Sequence, residues 1–341
     1  MKWIKYAVVT LLSITFSLAL AGDKPAGKFS GYMFGDYYYI LKNHKSDLQK
    51  RNGFWFRRIY FTYDRKLNDA FSIRLRLEMA HPGDFTTKAT AVPFVKDAYL
   101  KYKSGQHQII LGISPTPTWE VLEKVWGYRS VEKTPLDLQK FGSSRDFGVA
   151  AKGSFGESGM VKYHVMFANG NSNKSETNKG KKILAAITFN PVKNIILQFY
   201  GDYDGLLDVT SQITAQGFAA YKTERIRVGL HYVRQIRKKE GSEDLVLDMA
   251  SAFIAGQMSE TLNFFLRVDK MLDPNPKGDA IAYIPFDPTA KSTFFVGGFD
   301  FTPIKKVHLM PNIEAVVYEK NADGVKPDSD LIPRLTFYYK F

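Results

Sequence analysis

The chain has 341 residues, 45% of them hydrophobic and 24% charged, with 47 Lys and Arg against 34 Asp and Glu for a formal charge of +13. That balance excludes a disordered or collagen-like chain. The absence of Cys excludes a disulfide scaffold, a thiolate metal site and a cysteine nucleophile.

Lys2 and Lys5 precede an apolar run from Ala7 to Ala21 that ends Ala19-Leu20-Ala21. A basic start, a short apolar run and a small-x-small ending describe a secretory signal peptide over 1–21. The run is shorter than the roughly 20 residues a spanning helix needs. Residues 22–341 are then the exported domain, and no later stretch suits a spanning helix.

From residue 28 onward the pattern is alternation. Phe71, Ile73, Leu75, Leu77 and Met79 interleave with Ser72, Arg74, Arg76 and Glu78. Ile226, Val228, Leu230 and Tyr232 interleave with Arg227, Gly229 and His231. A period of two predicts strands with one apolar and one polar face. Sixteen such segments are predicted, at 28–41, 53–67, 70–80, 94–103, 107–113, 143–154, 160–169, 181–189, 195–204, 209–221, 225–236, 244–256, 261–271, 292–301, 307–319 and 331–341. Connections after even-numbered segments are short. Those after odd-numbered segments are mostly long, with 205–208 the short member. An even strand number with alternating short and long connections is the pattern of an outer-membrane barrel. The predicted fold is therefore all-β: a transmembrane antiparallel β-barrel of about sixteen strands. The last segment carries Leu335, Phe337, Tyr339 and Phe341 on one face. It looks like the carboxyl-terminal signal read by the barrel assembly machinery, and closing it against the first strand removes an aggregation-prone edge.

In a barrel the polar face lines the lumen. Parity sends Arg58, Arg74, Arg76, Lys101, Arg225, Arg227 and Arg267 inward, with acids that include Glu78, Asp97, Asp248, Asp269 and Glu314. Arg57 and Arg65 share the parity of Trp55, Ile59 and Phe61, so they are expected to face out and snorkel to the headgroups. The third long connection, 114–142, contains Trp119-Glu120-Val121-Leu122-Glu123-Lys124-Val125-Trp126, which suits a short helix, and then Arg129, Glu132, Lys133, Asp137 and Lys140. A loop with two Trp, apolar anchors and dense charge is expected to fold into the lumen and narrow it. Arg129, Lys133 and Lys140 join the constriction candidates.

Trp126-Gly127-Tyr128-Arg129-Ser130, followed by Ser143-Ser144-Arg145-Asp146-Phe147-Gly148-Val149, resembles the loop-to-strand segment of the phosphate-selective porin O and P family. The resemblance implies a homo-trimeric pore in bacterial outer-membrane lipid and lipopolysaccharide, passing phosphate-type anions. Unlike that family's pattern, charges of both signs are spread around the barrel rather than gathered in a dense basic staircase.

No G-x-S-x-G, H-E-x-x-H, G-x-G-x-x-G or Walker-type motif occurs, and the six His show no paired metal spacing. The expectation is a protein that is not an enzyme, carries no cofactor and does not bind nucleic acid. It is expected to give passive diffusion to small hydrophilic solutes, anions among them. A plugged structural or surface-adhesion barrel is the alternative.

Overall fold

The computed structural model describes residues 27–156, 159–206 and 210–341. The predicted signal peptide lies outside the described residues. Sixteen antiparallel strands form one closed barrel. They are β1 Lys28–Tyr39, β2 Asn52–Lys66, β3 Phe71–Met79, β4 Phe94–Ser104, β5 His107–Pro115, β6 Arg145–Phe155, β7 Val161–Ala168 and β8 Lys181–Phe189. The second half comprises β9 Ile195–Leu206, β10 Thr210–Lys222, β11 Ile226–Lys239, β12 Leu245–Gln257, β13 Leu262–Met271, β14 Ser292–Ile304, β15 Val307–Tyr318 and β16 Asp330–Lys340. Each strand pairs with its neighbour in sequence, and β1 closes on β16 from Tyr32↔Lys340 to Tyr38↔Arg334. Closure leaves no edge strand, so backbone donors and acceptors are satisfied without water, as hydrocarbon requires.

Every predicted segment is a strand, with ends within three residues of expectation. Alternation also divides the wall. Ile109, Leu111, Phe167, Phe199 and Leu230 point outward and are exposed, while His164, Gln198, Gln216 and His231 point inward and are buried. The outer band is an apolar surface suited to lipid.

Two irregularities change which side chains enter the lumen. Between β1 and β2 the register steps from Phe34↔Arg58 to Gly35↔Phe56, leaving Arg57 as the extra residue of a bulge. Between β3 and β4 it steps from Arg76↔Asp97 to Leu77↔Val95, leaving Lys96 extra. A bulge inverts the alternation on one side of it. Trp55 therefore lies inside, and Arg57 points inward beside Arg58. Gly35 is required here, since a Cβ would strike the Trp55 carbonyl.

Parity also misplaces Asp248. In β12 the inward residues are Leu247, Met249, Ser251, Phe253 and Ala255, all buried, so Asp248 faces outward and pairs with Arg234 at 2.7 Å. The apolar side of this strand meets another apolar surface inside the barrel, which belongs to the third outside loop.

Candidate functional site

That loop, 116–144, connects β5 to β6. Glu120–Trp126 forms a helix whose Leu122, Val125 and Trp126 are buried at helical spacing. Gly127 ends it at φ +75°, its N–H donating to the Glu123 carbonyl at 2.9 Å. A side chain at Gly127 would collide with the Arg227 guanidinium. A second short helix, Pro135–Leu138, buries Leu136 and Leu138.

The apolar side of the loop lies against inward residues of the far wall. Trp126 meets Phe253 with ring centroids 5.3 Å apart, and Tyr128 meets Phe265 at 4.4 Å. Trp119, Leu136 and Phe141 pack with Val233, Leu247, Met249 and Met271. Wall amides also bond two carbonyls of the loop. Gln216 Nε2 donates to the Thr118 carbonyl at 3.0 Å and Gln235 Nε2 to the Phe141 carbonyl at 2.6 Å. Contacts to β10–β13 from inside place the loop within the barrel.

Two arginines hold the middle of the loop. Arg57 donates to the Val131 carbonyl and to Glu132 at 3.1 Å, and reaches Asp36 at 2.6 Å and Glu314 at 3.2 Å. Arg267 donates to the Lys133 carbonyl at 2.6 Å while pairing with Asp269 at 2.9 Å. Burial alone would push the Glu132 carboxyl up, but the Arg57 guanidinium, helped by Lys133, holds it down to about 2.

The polar side of the loop carries Glu123, Arg129 and Asp137; Glu123 and Arg129 line a cavity of about 310 Å³ with Tyr32, Phe34, Asp300, His308 and Tyr338 of β1 and β14–β16. Burial raises the Glu123 carboxyl above the usual range, opposed by Arg129 and, from the wall, by Arg145 and Lys96. On the wall, Arg58 pairs with Glu78 at 2.7 Å and Lys96 with the same carboxylate at 2.9 Å. Asp97 is shared by Arg76, at 3.4 Å, and Arg145. The two carboxylates are 4% and 0% exposed in their side chains, whereas the four bases are 15–16% exposed. Acids thus sit beneath bases, and two bases are in excess of the carboxylates they share. The side of this wall that is left exposed is therefore guanidinium and ammonium rather than carboxylate.

Of the residues expected at the constriction, Arg58 and Arg76 lie on this wall, and Arg129 lies on the loop, 3.5 Å from Glu123 and 3.7 Å from Asp137. Arg74 lies lower on the wall, doubly bonded to Asp64 at 2.7 and 2.9 Å, and Lys101 lines the same recess near the short turns. Lys140 is half-buried in the loop, and Lys133 is nearly covered beside the Tyr283 ring. Arg227 stacks on Tyr128 and supports the loop from below.

Three expectations need correction. Arg225 lies in the exposed turn before β11, because the strand begins at Ile226. Arg267 is 1% exposed and holds the loop rather than facing water. Arg57 does not snorkel: the bulge turns it inward, where it is also 1% exposed. Lys96 and Arg145 were missed. Lys96 is the extra residue of its bulge, and Arg145 reaches Asp97 from the first position of β6. The sequence signal for the first bulge was the adjacent pair Arg57-Arg58, since alternation would force one of the two into lipid.

No family model and no curated protein matches the chain. Solved structures do. An anion-selective porin from Comamonas acidovorans aligns with a TM-score of 0.69 and 12% identity, over 93% of this chain and 99% of that one. The outer membrane protein OmpT of Vibrio cholerae, in a trimer form, gives 0.65 and 11% over 94% and 100%. Salmonella typhi OmpF gives 0.66 and 11% over 92% and 97%. The chain has the porin fold. At these identities the likeness is one of architecture, so the chemistry of this porin barrel rests on its own side chains.

Proposed function

We propose that the protein is a porin of the bacterial outer membrane, giving passive diffusion to small hydrophilic solutes with a preference for anions. Loop 116–144 narrows the lumen, and solutes pass between its polar side and the wall of β2–β6. The observation that carries the anion preference is the burial of Glu78 and Asp97 beneath Arg58, Lys96, Arg76 and Arg145. Arg74 and Lys101 continue the basic surface toward the short turns. Such groups set ion preference without tight binding. The name of the Comamonas barrel agrees with this reading, and phosphate-type anions are the finer proposal that the family resemblance supports.

Residues 1–21 are removed on export, Phe341 is presented to the assembly machinery, and the apolar band meets lipid and lipopolysaccharide. A homo-trimer follows from the resemblance and agrees with the Vibrio protein's trimer form. The test is reconstitution in a planar bilayer under a salt gradient. Stepwise conductance with an anion-side reversal potential supports the reading; a cation-side potential removes the anion preference.

One observation favours the plugged barrel. Loop 272–291 packs Ile281, Tyr283, Ile284 and Phe286 into the same apolar cluster as Trp126 and Leu138 of the third loop, so two loops share the space inside the outer mouth. Liposome swelling discriminates, because only an open passage admits an osmolyte.

A further inference from the structure

The cavity of about 310 Å³ that Glu123 and Arg129 share with β1 and β14–β16 differs in composition from the basic wall. Its strands contribute aromatic rings. Tyr338, Tyr32 and Tyr60, on the adjacent strands β16, β1 and β2, form a row with centroids 5.8 and 4.6 Å apart. The Phe34 ring lies nearly parallel to Tyr32, 6.4 Å away. Tyr32 and Tyr338 line the cavity and are half-buried, so part of each side chain is left open to a solute.

The polar groups of the cavity carry both signs and can be reached. Glu123, Arg129 and His308 are 38%, 22% and 29% exposed in their side chains. Arg129 sits between Glu123 and Asp137 and lies over the Phe34 ring, 5.8 Å from its centroid. His308 Nδ1 meets Asp300 at 2.8 Å, which makes Nδ1 the donor and leaves Nε2 as the acceptor of the neutral ring.

These groups select among solutes. A simple anion meets Glu123 and Asp300 and only one guanidinium, already shared by two carboxylates. A simple cation competes with Arg129 for the same carboxylate and the same ring. A neutral sugar ring meets neither obstacle. Its C–H groups suit the negative faces of the tyrosines. Its hydroxyls can bond an ionised carboxylate that is already paired, because each carboxylate accepts about four hydrogen bonds.

We infer that this cavity is a binding site for a neutral pyranose sugar. Its C–H face lies on Tyr32 and Tyr338, its hydroxyls donate to Glu123 and to His308 Nε2, and Arg129 donates to a sugar oxygen. The inference deepens the porin reading, since the lumen delivers such a solute. The site is distinct from the bases of β2–β6 on which the anion preference rests.

Calorimetric titration of the detergent-purified full chain with glucose tests this. Mannitol, which has hydroxyls but no ring, and glucuronate, which has the ring and a negative charge, are the comparators. Glucose is expected to bind about tenfold more tightly than mannitol, the scale of one good aromatic contact, and more tightly than glucuronate. Tyr32→Leu and, independently, Tyr338→Leu are expected to bring glucose down to the level of mannitol, and Tyr32→Phe is expected to retain its affinity. Equal binding of glucose and mannitol overturns the site, as does tighter binding of glucuronate. Full glucose affinity in both leucine variants, when they migrate as folded barrels, overturns it too. Conductance in potassium chloride is measured alongside. Conductance steps without glucose binding remove the sugar site alone. Glucose binding without any steps removes the diffusion reading and leaves the sugar site standing.

Discussion

Arg57 of β2 and Glu132 of the third loop meet 3.1 Å apart with almost no solvent contact, and this pair joins the loop to the wall. Around it lie Asp36, Glu314 and Arg334, with Arg334 2.8 Å from Glu314. The cluster holds three carboxylates and two guanidinium groups. Its two ends therefore respond differently to mutation. Arg57→Gln leaves three buried acids around one base and is expected to destabilise the barrel by about 3–5 kcal/mol, the cost of an uncompensated buried charge. Glu132→Gln leaves two acids and two bases. It is expected to preserve the barrel's denaturation midpoint while loosening the loop. Denaturation in detergent and single-channel noise separate the two outcomes.

The proposed anion preference rests on the bases of β2–β6. Replacing Arg76 and Arg145 with Gln removes both partners of Asp97 and exposes an acid where cations stood. The anion-to-cation permeability ratio is expected to fall several-fold, by the field argument for a narrow charged path. The same change at Arg225, exposed in its turn, is expected to leave the ratio unaltered. Reversal potentials in a salt gradient measure both.

A pH dependence is expected from Lys133. Burial depresses its ammonium group to about 8 from its ordinary value, with Asp137 and Glu132 opposing the shift. The folded protein therefore releases this proton earlier than the unfolded chain. Stability is expected to rise as pH increases from about 8 toward 10.5, where the unfolded chain still holds the extra proton. Over the start of that window the lumen loses one positive charge, so reversal potentials are expected to move toward cations between about pH 7 and 9. Lys133→Met abolishes this movement if Lys133 causes it.

The two faces of the barrel are distinguished by a pair of leucines. Leu247 is buried against Trp119, Leu136 and Phe141, whereas Leu230 is 60% exposed on the outer surface. Leu247→Ala is expected to cost roughly 2–5 kcal/mol through the cavity it opens, and Leu230→Ala far less. Leu230→Arg is expected to cost up to roughly 2–4 kcal/mol in a lipid bilayer. Denaturation of all three in liposomes gives the order.

The strands were legible because alternation is a local property, and the parity of the connections is visible without any contact. Arg57, Lys96 and Asp248 were not legible for a different reason. A bulge is fixed by the partner strand's register, which β4 does not carry in its own pattern and β2 signals only through the adjacent pair Arg57-Arg58. The inward side of β12 is apolar because a loop one hundred residues earlier lies on it, so hydrophobicity there signals protein rather than lipid. Arg58 and Arg76 could be read as lumen residues, but their surplus over buried acids could not. It depends on which two bases share each of Glu78 and Asp97.

The most direct test of the account is the reversal potential of single channels in a planar bilayer separating two potassium chloride concentrations. The passage between loop 116–144 and the four wall bases predicts discrete openings whose potential lies toward the chloride equilibrium, and a shift toward potassium when Arg76 and Arg145 are both Gln. Openings that favour potassium in the unaltered protein would contradict the charge argument, and a bilayer without openings would contradict the passage itself.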